Sequence, residues 1–166
     1  GIGLLTEDRK REGLVLDHAV RENISVPVLG TLSRGGLLDL ARERRWCDAL
    51  IERLRIRLPH REERAKHLSG GNQQKVVLAK WLARDCDVLF FDEPTRGVDV
   101  GAKREIYLLM NELAAQGRAI VMVSSELPEV LGMADRILVF HDGRITGELT
   151  NGPDVTQEAI MRLAVA

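Results

Sequence analysis

The sequence predicts an α/β fold built on a largely parallel sheet, and three observations lead to that class. Short apolar runs at residues 2–5, 88–91, 119–123 and 137–140 alternate with longer stretches in which apolar residues recur at helical spacing. The run at 88–91 is apolar at every position, as expected of a strand buried within a parallel sheet. Glycine and proline separate the segments, which keeps strands and helices distinct.

Size and composition bound the rest. The 166 residues fit one domain, 45% are apolar and 30% charged, the balance of an ordinary globular protein. No apolar run approaches the ~20 residues needed to cross a bilayer, and no export signal opens the sequence. The chain starts at Gly1, already within apolar sequence, so a fragment of a larger protein is expected. A net charge of −1 argues against a nucleic-acid partner. The charge is uneven: residues 34–67 hold ten Lys or Arg against six Asp or Glu, a pattern read first as a solvated helix face. Cys47 and Cys86 match no metal or redox spacing and read as reduced thiols. His18, His60, His67 and His141 share no ligand spacing either.

Taken in order, residues 2–5 form a buried strand closed by the polar run Thr6 to Lys10. Pro27, Gly30, Gly35 and Gly36 punctuate an irregular stretch. Leu40, Cys47, Leu50, Ile51 and Leu54 place an arginine-rich amphipathic helix over 37–54, stopped by Pro59. Ser69-Gly70-Gly71 opens a helix to about Ala83, with Val76, Ala79, Leu82 and Ala83 on one face. The strand at 88–91 delivers Asp92 and Glu93. A helix over 100–115 turns Ile106, Tyr107, Met110 and Leu113 inward, and Gly117 closes it. A strand at 119–123, a short helix at 127–134, a strand at 137–140, a hairpin-type turn at His141-Asp142-Gly143 and a final helix at 156–165 complete the chain. Trp46 and Trp81 read as packing residues.

Two motifs carry chemistry. In an open parallel sheet, ligands bind beyond the carboxyl ends of the strands. Asp92 and Glu93 stand at such an end, suited to hold a magnesium ion and to handle a water. Ser69-Gly70-Gly71 at a helix start offers a hydroxyl, unhindered N–H groups and the positive end of the helix dipole, suited to a terminal phosphate. An ordinary serine cap with a glycine turn is the competing structural reading.

Leu68-Ser69-Gly70-Gly71-Asn72-Gln73-Gln74, then Phe91-Asp92-Glu93-Pro94-Thr95, then Gly97-Val98-Asp99-Val100 resemble the signature, Walker B and D-loop motifs of ABC ATPases, in order and spacing. The segments Thr6 to Leu14, Pro94 to Lys103 and Val123 to Val130 are similar to those of the ribose, xylose and galactose importers, specifically to the second ATPase module of their energy-coupling subunit. That resemblance implies a partial P-loop NTPase fold with helices on both sheet faces. It places a helical signature subdomain at about 12–85 and a core at 1–11 and 86–166, all within one truncated domain. It also implies ATP and Mg2+ as ligands. Asp92 takes the magnesium position, Glu93 that of the acid acting on water, and Asp99 the dimer seam. Ser69, Gly70, Gly71 and Gln73 lie in the signature that faces ATP held by the opposite module. The implied partners are membrane permease subunits, the other ATPase module and, indirectly, a periplasmic sugar-binding protein. The implied location is the cytoplasmic face of the bacterial inner membrane.

Three departures stand against the family pattern. No lysine follows a glycine, so no Gly-x-x-x-x-Gly-Lys-Ser/Thr loop exists in this chain. Glu7 stands where a Q-loop glutamine is usual, and Ser125 where a switch histidine is usual. Both weaken the site built on this module's own Walker B. A nucleoside-importer ATPase is the neighbouring alternative. A DNA-repair or chromosome-structure ATPase shares the motifs, but the 68 residues before Ser69 hold neither a coiled coil nor a zinc module. A third reading makes the fragment a non-catalytic module that docks its arginine-rich helix on a membrane partner. In the ABC fold the strand before the phosphate loop lies between those matching 119–123 and 137–140. Two repairs of that gap are therefore expected: direct pairing of the two strands, or a second copy of the chain filling the space in a homo-oligomer.

Overall fold

The computed structural model describes residues 1–165. In chain order its elements are β1 (Ile2–Leu5), α1 (Val20–Ser25), α2 (Leu29–Leu32), β2 (Ser33–Arg34), β3 (Leu37–Leu38), α3 (Leu40–Arg53), α4 (Gly70–Ala83), β4 (Val88–Asp92), α5 (Val100–Ala115), β5 (Ala119–Val123), α6 (Leu127–Met133), β6 (Arg136–His141), β7 (Arg144–Thr150) and α7 (Gln157–Ala164). The described residues form two compact units, 1–123 and 124–165. The division thus falls just after β5, whereas the sequence places its subdomain boundaries near residues 11 and 85.

The first unit is built on a parallel sheet of order β1–β4–β5. Its register sets Leu5, Phe91 and Met122 side by side on one face and Leu4, Phe90 and Val121 on the other. Helices cover only the first of these. Leu5, Leu89 and Phe91 are buried, while Ile2, Leu4, Phe90, Val121 and Val123 are exposed, Ile2 at 69%. The face bearing Leu4, Phe90 and Val121 stays exposed among the described residues. The expected direct pairing of the 119–123 and 137–140 strands is corrected. β5 has β4 as its ladder partner, and β6 has β7.

Helix α4 is the centre of the first unit. Gln73, Gln74, Lys75, Val76, Val77, Leu78 and Ala79 are all buried, so it is enclosed on every side rather than along one stripe. Lys75 is the costly member, an ammonium only 3% exposed, and it donates to Glu105 Oε2 at 2.6 Å and to the Arg55 carbonyl at 3.1 Å. Glu105 sits on α5, so this pair ties the two helices together.

The stretch before α3 is more ordered than its glycines and proline suggest. Asn23 organises it, donating from Nδ2 to the Val15 and Ala19 carbonyls and accepting from Val15 N at 2.8 Å. Buried Glu43 on α3 accepts from Arg21 at 2.7 Å and from the Ser25 hydroxyl at 2.6 Å, pinning α1 to α3. Helix α3 starts three residues later than expected because Asp39 caps it, accepting from Arg42 N. Its Arg42, Arg44, Arg45 and Arg53 are exposed, as a solvated face requires. Both cysteines are free and buried, and burial pushes the Cys47 thiol up to about 12.

In the second unit, β6 and β7 form a hairpin whose two-residue turn puts Asp142 at φ 45° and Gly143 at φ 74°, a type I′ turn. Ile137, Val139 and Ile160 make its core, flanked by Val130, Leu131 and Leu149. Asn151 closes the end of α6 by donating to the Leu131 and Ala134 carbonyls at 2.8 and 2.7 Å.

The Lys75–Glu105 pair gives a test with a defined sign. Its hydrogen bond with Lys75 holds the Glu105 carboxyl below its ordinary value. The stabilisation is therefore complete above the ordinary carboxylate range and is lost as pH falls through that range to the folded-state value. Glu105→Gln should cost about 1–3 kcal/mol at pH 7, the figure reduced because Glu105 is partly exposed. Denaturant titrations should show a smaller difference between variant and wild type at pH 3 than at pH 7. Equal differences at both pH values would contradict the pair's role.

Candidate functional site

Two loops and one helix start converge in the first unit. The parallel ladder places the ends of β1 and β4 side by side, with Leu5 opposite Phe91. Thr6 and Glu7 therefore leave the sheet beside Asp92 and Glu93. Glu93 adopts φ 46°, a left-handed conformation uncommon for a residue with a side chain, and its N–H donates to the Val123 carbonyl at 2.9 Å. That bend turns the chain out of the sheet. The turn continues with Arg96 N donating to the Glu93 carbonyl, and it leads to Asp99, which caps α5 by accepting from Ala102 N at 3.0 Å.

The start of α4 lies against this turn. A Cβ on Gly71 would come within 2.6 Å of the Ala102 methyl, and one on Gly70 within 3.0 Å of the Gly97 carbonyl. Only glycine permits so close an approach at these two positions. Ser69 precedes the helix but makes no side-chain cap to it. Its hydroxyl instead accepts from Asn72 Nδ2 at 3.0 Å, and Asn72 Oδ1 in turn accepts from Arg57 N at 2.9 Å. The first N–H groups of the helix have no partner within it, as at any helix start. With an exposed hydroxyl beside them they make a surface suited to an anion. The serine-cap reading of this motif is not what the structure displays.

Gln73 is placed differently from the sequence expectation. It is buried, and its Nε2 donates to the Ala65 carbonyl at 3.0 Å. It anchors the turn that delivers the helix and does not face solvent beside Ser69. Glu7 forms an ion pair with Arg96. Ser125 is an exposed residue at the beginning of the second unit. Next to it the Ser124 hydroxyl donates to buried Glu129 and accepts from Glu126 N at 3.0 Å. The structure therefore gathers Ser69, Gly70, Gly71, Asp99, Glu7, Asp92 and Glu93 within one unit and puts Ser125 in the other.

Three residues of this neighbourhood were given no individual role by the sequence. Arg9 donates to the Arg96 carbonyl at 3.1 Å and to the Gly97 carbonyl at 3.5 Å. Arg96 pairs with Glu7, and Asn72 braces Ser69. A basic residue in an exposed polar run carries no periodic signal, so neither arginine was separable from ordinary surface charge.

Residues 1–96 match the family model for the ABC transporter domain. The chain belongs to the ABC transporter family. Nucleotide binding is the property that membership implies. Within this ABC family, the chain is 60% identical over 164 residues to the ribose import ATP-binding protein of Bacillus subtilis (strain 168), covering 99% of this chain and 33% of that protein. It is 55% identical over 164 residues to the ribose import ATP-binding protein of Yersinia pestis, covering 99% of this chain and 32% of the relative. The chain thus spans about a third of the length of these curated relatives. Among solved structures, it matches a dimeric ATP-binding cassette bound to ADP and Pi with a TM-score of 0.76 at 22% identity, over 91% of this chain and 63% of the other. That likeness establishes the fold: a partial ABC cassette.

Proposed function

We propose that this chain is the second-module portion of the ATP-hydrolysing subunit of a bacterial monosaccharide importer, and that its principal task is to present the signature to ATP held by the opposite module. The observation that carries the reading is the start of α4. Ser69 leaves its hydroxyl outside the helix cap, and Gly70 and Gly71 fit that start against the D-loop so closely that no side chain intervenes. A helix start exposed in this way binds a terminal phosphate with its N–H groups and dipole. Such an arrangement is useful only if something else holds the rest of the nucleotide.

Asp92 and Glu93 take the magnesium-side and water-side roles in the module's own site. Two carboxylates at the carboxyl end of β4 match the one or two that Mg2+ takes alongside phosphates and waters. When bound, the ion would neutralise charge developing on the transferred phosphoryl group. Glu7 stands in place of a glutamine and pairs with Arg96, so it offers no amide donor to a γ-phosphate in this site. In this reading residues 12–85 form the helical subdomain, and the rest belongs to the core. Among the described residues no helix is long and apolar enough to cross a membrane. It works at the cytoplasmic face of the inner membrane against permease subunits, with the sugar-binding protein acting from the periplasm and no nucleic acid involved. The 60% identity to a ribose import protein favours a monosaccharide over a nucleoside as the transported solute.

This chain alone should bind Mg-ATP weakly and hydrolyse none. Calorimetric titration checks it, and low-micromolar binding competed by ADP would contradict the division of labour. In the full-length subunit, Ser69→Ala should lower turnover more than Glu93→Gln, with the loss at Ser69 on the order of 10²–10³-fold. Steady-state ATPase assays of both variants decide it. Abolished turnover in Glu93→Gln beside unchanged turnover in Ser69→Ala would reverse the assignment of the two sites.

A further inference from the structure

Arg9 lies outside every nucleotide-contacting motif, yet it touches two of them. It opens a short helical turn, Arg9–Gly13, which Asp8 caps by accepting from Lys10 N at 3.1 Å and Arg11 N at 3.2 Å. From there its guanidinium reaches across to the turn after β4. Nη1 donates to the Arg96 carbonyl at 3.1 Å, and Nη2 approaches the next carbonyl, that of Gly97, at 3.5 Å. The same Nη2 occupies the space that a Cβ on Gly70 would need, 2.6 Å from that position.

We infer that Arg9 is a positioning residue that clamps the D-loop carbonyls of Arg96 and Gly97 beneath the start of the signature helix, so that Ser69–Gly71 and Asp99 are presented as one surface. A further observation supports the clamp: Glu7, two residues earlier, grips the Arg96 side chain. The segment after β1 thus holds Arg96 at both its carbonyl and its guanidinium. Two donors on adjacent carbonyls is a task for a planar fork. A lysine offers a point charge on a flexible stem and cannot hold both in fixed geometry.

The inference rests on the ATPase reading for its consequence and on the loop geometry for its mechanism, so it is tested at both levels. In this chain, hydrogen exchange of Arg9→Gln and Arg9→Lys should speed by about threefold or more in residues 69–73 and 95–101, with the β6–β7 hairpin unchanged. In the full-length subunit both variants should lower kcat by about ten- to a hundredfold, with KM for ATP moving by less than about twofold. The nucleotide stays anchored on the opposite module, and what is lost is the alignment of the signature. Gly70→Ala pushes on the same guanidinium, so its effect should shrink in the Arg9→Gln background. Exchange rising evenly over the whole chain would reduce Arg9 to a stability residue and overturn the proposal. So would full activity in Arg9→Lys, or a rise in KM with kcat unchanged. If Ser69→Ala damages turnover while the Arg9 variants do not, this inference falls alone. If Ser69→Ala is silent, the functional reading falls and takes the predicted loss of kcat with it, whatever the exchange data give.

Discussion

The approach of helix α4 to the 96–102 segment is the contact on which the candidate site depends. At Gly70 and Gly71 the helix start comes so near the D-loop that a methyl group would collide with the Gly97 carbonyl or the Ala102 side chain. A single added carbon is enough to disturb interiors packed at protein density. Farther along, Lys75 reaches Glu105 and locks the same two helices a turn or more from the site. The signature and the D-loop are thus held by packing at one end and by a partly buried ion pair at the other. Neither element can shift without disturbing its partner.

Helix α4 buries Gln73, Gln74 and Lys75 along with its apolar residues, so it carries polar groups away from water. Polar side chains in such a place need partners. Gln73 finds the Ala65 carbonyl, and Lys75 finds Glu105 and the Arg55 carbonyl. These bonds fix the approach to Ser69 from the N-terminal side, so the residue expected to touch nucleotide instead aims the segment that does. One face of the sheet leaves Ile2, Leu4, Phe90, Val121 and Val123 exposed.

Much of this was legible in the sequence, for reasons that differ by element. The four main strands, α5 and the hairpin turn were placed within a residue or so, because period and punctuation agree there. The run of four apolar residues before Asp92 can hardly be anything but a buried strand, and Asp142-Gly143 provides the two left-handed positions a type I′ turn needs. The segment between residues 9 and 38 was not legible. Its helices are short and rest on a few side-chain bonds such as those of Asn23 and Glu43, which leave no periodic trace. The site shows the same division. Its motifs could be read because they combine unusual residues in order, whereas Arg9 and Arg96 could not, because their importance lies in which carbonyl and which carboxylate they meet. Gln73 was misplaced for the related reason that a helix start shows which residues are near a ligand but not which of them turn inward.

The central claim is that this chain completes a nucleotide site whose phosphate loop belongs to another module. The most direct measurement is sedimentation of the chain with a separately prepared first module of the full-length subunit, under conditions that block hydrolysis. The account predicts a complex that forms with Mg-ATP, falls away with ADP, and is lost when Gly71, which has no room for a side chain, is changed to valine. A complex of equal strength without nucleotide, or one indifferent to Gly71→Val, would contradict it.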